Sequence, residues 1–524
     1  MGPVPWQFLP EVVLLGGALL IFLLDALDLG RTELLGGIAV ATSALSLLLV
    51  VADLGFAPLA FARSLPAGSL DAGADPALLY AFSSLGLIFQ GIFLSSAFLV
   101  ALASISRPSR EKGAAIFFGL LLLATLGMML AALAADLIFL LIAVEVTGIS
   151  SYVMVGYLRK DPRGMEAAMK FFIIGALSTA LSFFGASLLF GAFGSTSFPV
   201  LSDRGLTLGL PALALLGYGL VIAGLAFKVT LVPFHMWAVD VYDGAPTDVS
   251  AFLAGGTKKL GIFAFLLVFI GPVALFASRG GAVCAGASSC LPAYNLGPTL
   301  QLTLGIMAVL TMTIGNVLAL LQKEMKRMLA YSSISQAGYM MIGIAIGSAP
   351  AVAGATFQVL AHVFMKAGAF LVVAGVAGIG VGPLISDWKG LGNRRPMTSV
   401  AFALMLLSLA GIPLTVGFVS KFVLFSAAVY AQGPFIYLAI AGLLNSALSV
   451  FYYARVLKVV FMDGQDPPNA VPEPASVLPA GGLGYGRAGA IAIACVAIVA
   501  LGVYPQPVLS AIQAAAQHFV LTGA

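Results

Sequence analysis

Apolar stretches of about 20 residues recur from one end of this chain to the other, each long enough to cross a hydrocarbon core of roughly 30 Å as a helix. Lipid offers no water to satisfy backbone groups, so such segments must close their hydrogen bonds internally, which selects a helical bundle. The composition agrees. With 61% hydrophobic and 9% charged residues, a water-soluble globule is excluded. Between charged or Gly/Pro-rich breaks the runs fall near 11-29, 34-52, 78-105, 114-133, 135-157, 167-193, 209-239, 248-272, 297-321, 327-347, 351-382, 398-431, 434-461 and 487-508. The expectation is an all-α polytopic membrane protein with about fourteen transmembrane helices. The first run, from about Glu11 to Leu27, lacks a basic leader and a small-residue cleavage site, and reads as a retained helix.

Charge sets the orientation. With the N-terminus outside, sixteen Lys and Arg, among them Arg31, Arg159, Lys326, Arg395 and Arg455, fall on the cytoplasmic side, and only Arg63, Arg204 and Arg279 fall on the other. The positive-inside rule then places both termini outside. A net charge of +4, spread in short clusters between apolar runs, does not indicate nucleic acid. The three cysteines have no metal-ligand spacing: Cys495 reads as a packed thiol, and a disulfide between Cys284 and Cys290, which share one loop, is left open.

Six basic residues belong to no loop, and all are lysines: Lys170, Lys228, Lys258, Lys259, Lys366 and Lys421. A charged side chain at a helix centre costs roughly 2.5 to 3.5 kcal/mol on insertion scales, so it needs a partner or a wet cavity. The ordinary reading is snorkelling to an interface. Lys170, near the start of its helix, suits that reading as well as a relay role. Lys259 points about 100° away from Lys258 on a regular helix and is assigned to snorkelling. Lys228, Lys258 and Lys421 lie too deep and read as functional. Lysine suits proton handling, because desolvation favours its neutral form and a nearby carboxylate restores the charge. The one acidic residue in mid-membrane is Glu145, taken as the counter-ion of Lys228.

Two runs are too long and carry prolines. In "FKVTLVPFHMW" Lys228 precedes Pro233, and in "LAGIPLTVGFVSKF" Pro413 and Gly417 precede Lys421. Proline frees the carbonyl four residues back, here of Val229 and Leu409. The two breaks are five helices apart, and "AAMKFFIIGAL" and "HVFMKAGAFLV", with Lys170 and Lys366, make a second such pair. Paired broken helices point to a transport site between repeats. The chain therefore divides into a three-helix segment 1-113, two five-helix repeats at 114-272 and 297-462 inverted in the membrane with helices 7 and 12 broken, and a C-terminal helix within 485-524. His235, beside Pro233, His362, and Lys366 four residues after it on the same face are possible relays, and for the two histidines a packed role is equally open. The loop "AVDVYDGAPTDV", with Asp240, Asp243 and Asp248, could gather protons, although capping of helix 8 by Thr247 or Asp248 is favoured.

Three stretches, "FKVTLVPFHMWAVDVYDGAPTDVSAFLAGGTKK", "GNVLALLQKEMKRMLAYSSISQAGYMMIGIA" and "LSLAGIPLTVGFVSKFVLFSAAV", resemble the antiporter-like membrane subunits of respiratory complex I, most closely the subunit N type. The resemblance covers residues 114 to 460 and implies fourteen helices, inverted repeats and a buried polar axis. Glu145, Lys228, Lys258 and Lys421 match the family's helix 5, 7, 8 and 12 residues. It also implies no redox centre on this chain. Quinone, flavin and iron-sulfur clusters are expected in partner subunits, and the partners are sister antiporter-like and small membrane subunits, with lipid around them. "AHVFMKAGAF" departs from ordinary subunit N: it is similar to sister subunits L and M or to archaeal and hydrogenase-linked relatives, which leaves the electron donor open.

The resulting expectation is the proton-translocating, non-redox subunit of a proton-pumping NADH (or related donor):quinone oxidoreductase. Protons would enter near Lys258, rest on Lys228 and Glu145, and leave by Lys421. The alternatives are a subunit of a Mrp-type cation/proton antiporter or of a membrane-bound hydrogenase, and an adaptor with vestigial sites.

Overall fold

The computed structural model describes residues 6–55, 83–105, 113–158, 160–207, 212–278, 283–284, 290–291, 296–431, 433–463 and 483–522. Arg63, Arg107, Arg110, Lys112, Arg159 and Arg279, used in the charge tally, lie outside these residues.

Six helices come first: α1 (Leu9–Ala26), α2 (Thr32–Asp53), α3 (Ser84–Ser104), α4 (Ala114–Ala132), α5 (Leu137–Val155) and α6 (Pro162–Phe193). The short α7 (Phe198–Thr207) is followed by a seventh passage in two pieces, α8 (Ala212–Val229) and α9 (Met236–Gly244). In the eighth, α10 (Thr247–Phe252) continues through a π-turn, Leu253–Thr257, into α11 (Lys258–Ser278). A two-residue antiparallel ladder, β1 (Val283–Cys284) with β2 (Cys290–Leu291), sets Cys284 and Cys290 in register. The ninth and tenth passages are α12 (Leu296–Leu321) and α13 (Met325–Ile346). In the eleventh, α14 (Ala349–His362) and α15 (Gly368–Gly378) join through a second π-turn, Val363–Ala367. After α16 (Leu391–Arg394), the twelfth passage is again split, into α17 (Pro396–Ala410) and α18 (Val416–Tyr430). The chain ends with α19 (Ile436–Phe461), α20 (Tyr485–Val503) and α21 (Gln506–Thr522).

Thirteen helices are long and apolar enough to cross a membrane, and the split pair α17 and α18 adds one passage. That makes fourteen among the described residues. Caps punctuate the series where the sequence carries the right residue: Asp136 accepts from the Ile138 and Phe139 amides to start α5, and Asp161 with Pro162 starts α6. The C-terminal segment holds two helices where one was expected, because Pro505 and Pro507 stop α20 and restart the chain as α21.

Burial is uneven, and the unevenness positions the site. The eighth and tenth passages are enclosed over 94% of their apolar window, the sixth over only 33%. Basic ends gather on one face. There Arg455 of α19 donates to the Leu320 and Gln322 carbonyls, and Arg327 of α13 pairs with Asp240 at 3.2 Å.

Candidate functional site

The seventh passage stops one residue after Lys228. Thr230 has a left-handed φ of +68°, the Leu231 amide turns back to the Ala226 carbonyl, and the Val232 amide is taken by Thr311 Oγ1 of α12. The break is thus held by protein donors and acceptors, as lipid requires. Lys228 Nζ donates to the Tyr152 hydroxyl at 3.4 Å and lies 5.3 Å from that ring. A cavity of about 10 Å³ touches Lys228, Thr147, Ser151 and Thr257, which is room for about one water. Thr257 is the residue before Lys258, so the cavity reaches the helical turn that carries the second amine.

Gly148 makes the space for the Lys228 amine: a Cβ there would lie 2.7 Å from Nζ and 3.1 Å from the Tyr152 hydroxyl. The atom displaced is the tip of a flexible side chain, so Gly148→Ala should assemble with a thermal midpoint near wild type. Proton movement should nevertheless fall, because the amine is pushed off Tyr152. Unchanged pumping in vesicles would show that the amine's position there is immaterial.

Lys258 is 1% exposed, donates to Ser333 Oγ at 3.0 Å, and lies 5.3 Å from the Tyr242 ring. Lys259 is a correction to the sequence reading. It does not snorkel: it is fully buried, donates to the Ala254 carbonyl at 2.7 Å, and meets His362 Nδ1 at 2.6 Å. The reason is local. The π-turn before it adds a residue to the helical turn and re-aims the side chains of the next turn, and the eighth passage has almost no lipid-facing side. The second π-turn packs against the first, with Ala367 beside Gly255. It also separates His362 from Lys366, which hydrogen-bonds to Ser332 Oγ. Three amines and an imidazole converge here, and the contacts described for them include no carboxylate. Like charges in a low dielectric oppose one another, so protons on this cluster are coupled.

At the twelfth passage α17 ends at Ala410, and Gly411 takes a left-handed φ of +92°. Lys421 Nζ donates to the Leu409 carbonyl at 2.8 Å, the Ala410 carbonyl at 3.1 Å and Ser446 Oγ at 3.0 Å. Three acceptors match the three donors of an ammonium, and two of them are the exposed carbonyls of a helix C-terminus, where positive charge is favoured. Leu409 is one of the carbonyls expected from the proline. It also accepts from Gln336 Nε2 at 3.3 Å, Gln336 accepts from Gln358 at 2.8 Å, and Gln358 accepts from Ser420.

Helix α13 is therefore the spine. Its Ser333 holds Lys258, its Ser332 holds Lys366, and its Gln336, one turn on, leads to Lys421. Sequence reasoning missed all three, although "AYSSISQAGYMM" shows them as uncharged polar residues one turn apart in an apolar run.

The other expected residues make no described hydrogen bond to this row, although Glu145 lies within electrostatic reach of Lys228 and His235 of Lys258. Glu145 is half-buried and accepts from Thr179 Oγ1; among the described ion pairs none joins it to Lys228. Lys170 is 43% exposed and pairs with Glu166 at 2.7 Å and Asp240 at 3.2 Å on the basic face, unlike the enclosed Lys366. His235 sits partly buried at the break, its Nδ1 without a partner. The start of α10 has no side-chain cap; Asp248 instead pairs with Arg487 of α20 at 3.3 Å.

A helical bundle that spends its buried polar groups on a row of amines, with helices broken beside them, defines a membrane ion-translocating protein. The family described as NADH:quinone oxidoreductase/Mrp antiporter, TM, matches residues 134–291 and 277–449. The chain is 38% identical over 447 residues to the F(420)H(2) dehydrogenase subunit N of Methanosarcina mazei, covering 83% of this chain and 84% of that one. It is 36% identical over 518 residues to the NADH-quinone oxidoreductase subunit N 2 of Sorangium cellulosum, covering 96% and 95%. Among solved structures, a chain of respiratory complex I from Thermus thermophilus superposes with a TM-score of 0.73 at 29% identity, covering 96% of this chain and 99% of that one. A chain of the Mrp complex from a Dietzia species shares the fold, with a TM-score of 0.79 at 20% identity over 99% and 98%. This chain belongs to the NADH:quinone oxidoreductase/Mrp antiporter family of membrane subunits, and within it to the subunit N type.

Proposed function

We propose that the chain translocates protons as subunit N of a complex I-like quinone oxidoreductase, through the row Lys228, Lys258, Lys259 with His362, Lys366 and Lys421. The observation that carries this reading is that every amine of the row has a polar partner from another helix: Tyr152 for Lys228, Ser333 for Lys258, His362 for Lys259, Ser332 for Lys366, and the Leu409 carbonyl, shared with Gln336, for Lys421. Glu145, held by Thr179, acts at one end of the axis as the negative charge that Lys228 senses. Residues 114-272 and 297-462 form inverted repeats around the two breaks. The basic face is cytoplasmic, both termini lie on the periplasmic side, and the membrane is a prokaryotic plasma membrane. Protons reach Lys258 from the basic face and leave outward from Lys421.

No redox step belongs to this chain. Quinone reduction, flavin and iron-sulfur clusters reside in partner subunits, and sister antiporter-like subunits lie beside it. The related subunits name different donors, F(420)H(2) and NADH. Amines suit a proton better than sodium, which prefers several oxygen ligands. The purified complex in proteoliposomes should acidify or alkalinise the lumen on quinone reduction at the same rate with sodium or potassium as the cation. Exchange that requires sodium and proceeds without quinone reduction would replace this reading with a cation/proton antiporter.

A further inference from the structure

Helix α20 supplies no member of the row of amines, yet it is fitted closely to the passages that carry them. A Cβ on Gly368, the residue after the second π-turn, would lie 3.2 Å from Ala494 Cβ, and one on Gly375 would lie 3.1 Å from Arg487 Cδ. Seven residues separate the two glycines and seven separate their partners, so α20 runs antiparallel to α15 for about two helical turns. From Gly375 the arginine reaches across to the eighth passage. Its Nη2 lies 3.3 Å from both carboxylate oxygens of Asp248, a buried residue in the first turn of α10.

The eighth and eleventh passages are therefore joined at two points. One is at the π-turns, where a Cβ on Gly255 would lie 2.9 Å from Ala367 Cβ. The other is the Arg487 bridge, seven residues before Gly255 on one passage and eight after Ala367 on the other, roughly 10 to 12 Å along the helices. Apolar contact alone lets two helices slide, whereas an ion pair at a second point fixes the slide. Beside the first point lies the 2.6 Å contact of Lys259 Nζ with His362 Nδ1. A slide of only two residues, about 3 Å, takes that pair beyond the ~3.2 Å of a hydrogen bond.

Stability alone does not account for the bridge. Enclosing an ion pair costs desolvation that its attraction returns only when the remaining polar atoms are satisfied, and Arg487 Nε is buried without an acceptor. We propose that Arg487 is a positioning residue: through Asp248 and Gly375 it holds the eighth and eleventh passages at the slide that brings Lys259 against His362. The proposal rests on the reading of that pair as proton carriers.

The test uses the complete complex in proteoliposomes, with protons moved per quinone reduced measured beside assembly and thermal midpoint. Arg487→Met takes the guanidinium from Asp248 and should impair assembly. Arg487→Met with Asp248→Asn removes both charges of the bridge and should recover assembly and midpoint. Its proton yield should nevertheless stay about two- to tenfold down, the worth of one hydrogen bond. In a Lys259→Met background, which should itself pump less, the same two substitutions should cause no further loss, because the contact they position is already gone. Full proton yield once assembly recovers overturns the proposal, and so does a loss that adds to that of Lys259→Met.

Where the neutral pair prevents assembly, Arg487→Lys carries the same comparison, since it keeps a cation at Asp248 with a shorter reach. The two readings separate. A Lys259→Met complex that pumps as the wild type does removes the proton role of Lys259 with His362. An impaired Lys259→Met complex beside a neutral pair that pumps normally removes the positioning role alone.

Discussion

Lys228→Ala should yield a complex that assembles and reduces quinone but moves no protons. The substitution removes the one amine at the break of the seventh passage, leaves the Tyr152 hydroxyl without that donor, and enlarges the small cavity that reaches Thr257. Losing a partner from a buried polar group costs about 1 to 3 kcal/mol, a loss that the fold should survive. What cannot survive is transfer between Glu145 on one side and Lys258 on the other, because no other titratable side chain among the described residues lines that cavity. Proton uptake by proteoliposomes, measured with quinone reduction and with co-purification of the partner subunits, decides the matter. Normal uptake at normal assembly would remove Lys228 from the mechanism.

The breaks were legible because proline chemistry is local. Pro413 marked the Leu409 carbonyl, and that carbonyl is one of the three acceptors of Lys421. The number of passages was legible for the same reason, since lipid thickness converts directly into run length. Partnerships across helices were not. Glu145 and Lys228 sit at suitable depths in separate runs, but whether they meet depends on helix rotation and on Gly148, three residues beyond Glu145, which admits the amine.

Lys259 was misread for a related reason. A 100° turn from Lys258 leads to lipid only if the helix has a lipid face, and the eighth passage has almost none. At Lys170, where snorkelling and a relay role stood equally open, the surroundings favour the first. It stands in a sequence context like that of Lys366, yet its helix is largely exposed and its amine finds Glu166 and Asp240 at the surface. Both π-turns were invisible, because an extra residue in a turn leaves no compositional mark. The helices α7 and α21 fell below the length that lipid imposes. Ser332, Ser333 and Gln336 carry no charge to mark them, yet these neutral hydroxyls and the amide are what the buried amines and the Leu409 carbonyl bond to.

Lys421→Arg should stop proton pumping as completely as Lys421→Ala, although it keeps the positive charge at the end of α17. Two roles for Lys421 predict different results here. If the ammonium only neutralises the Leu409 and Ala410 carbonyls and ties α18 to Ser446, a guanidinium with more donors should serve, at an overpacking cost of about 1 to 3 kcal/mol against neighbours such as Gly411. If Lys421 must release its proton to the outer side in each cycle, arginine fails, because its guanidinium stays charged at any pH the membrane experiences. Assembly by co-purification and thermal midpoint should therefore remain near wild type for Lys421→Arg while the proton signal disappears. A variant that pumps at the wild-type rate would show that position 421 supplies a fixed charge, and that the proton leaves the axis before it, at Lys366 or the Lys259 and His362 pair.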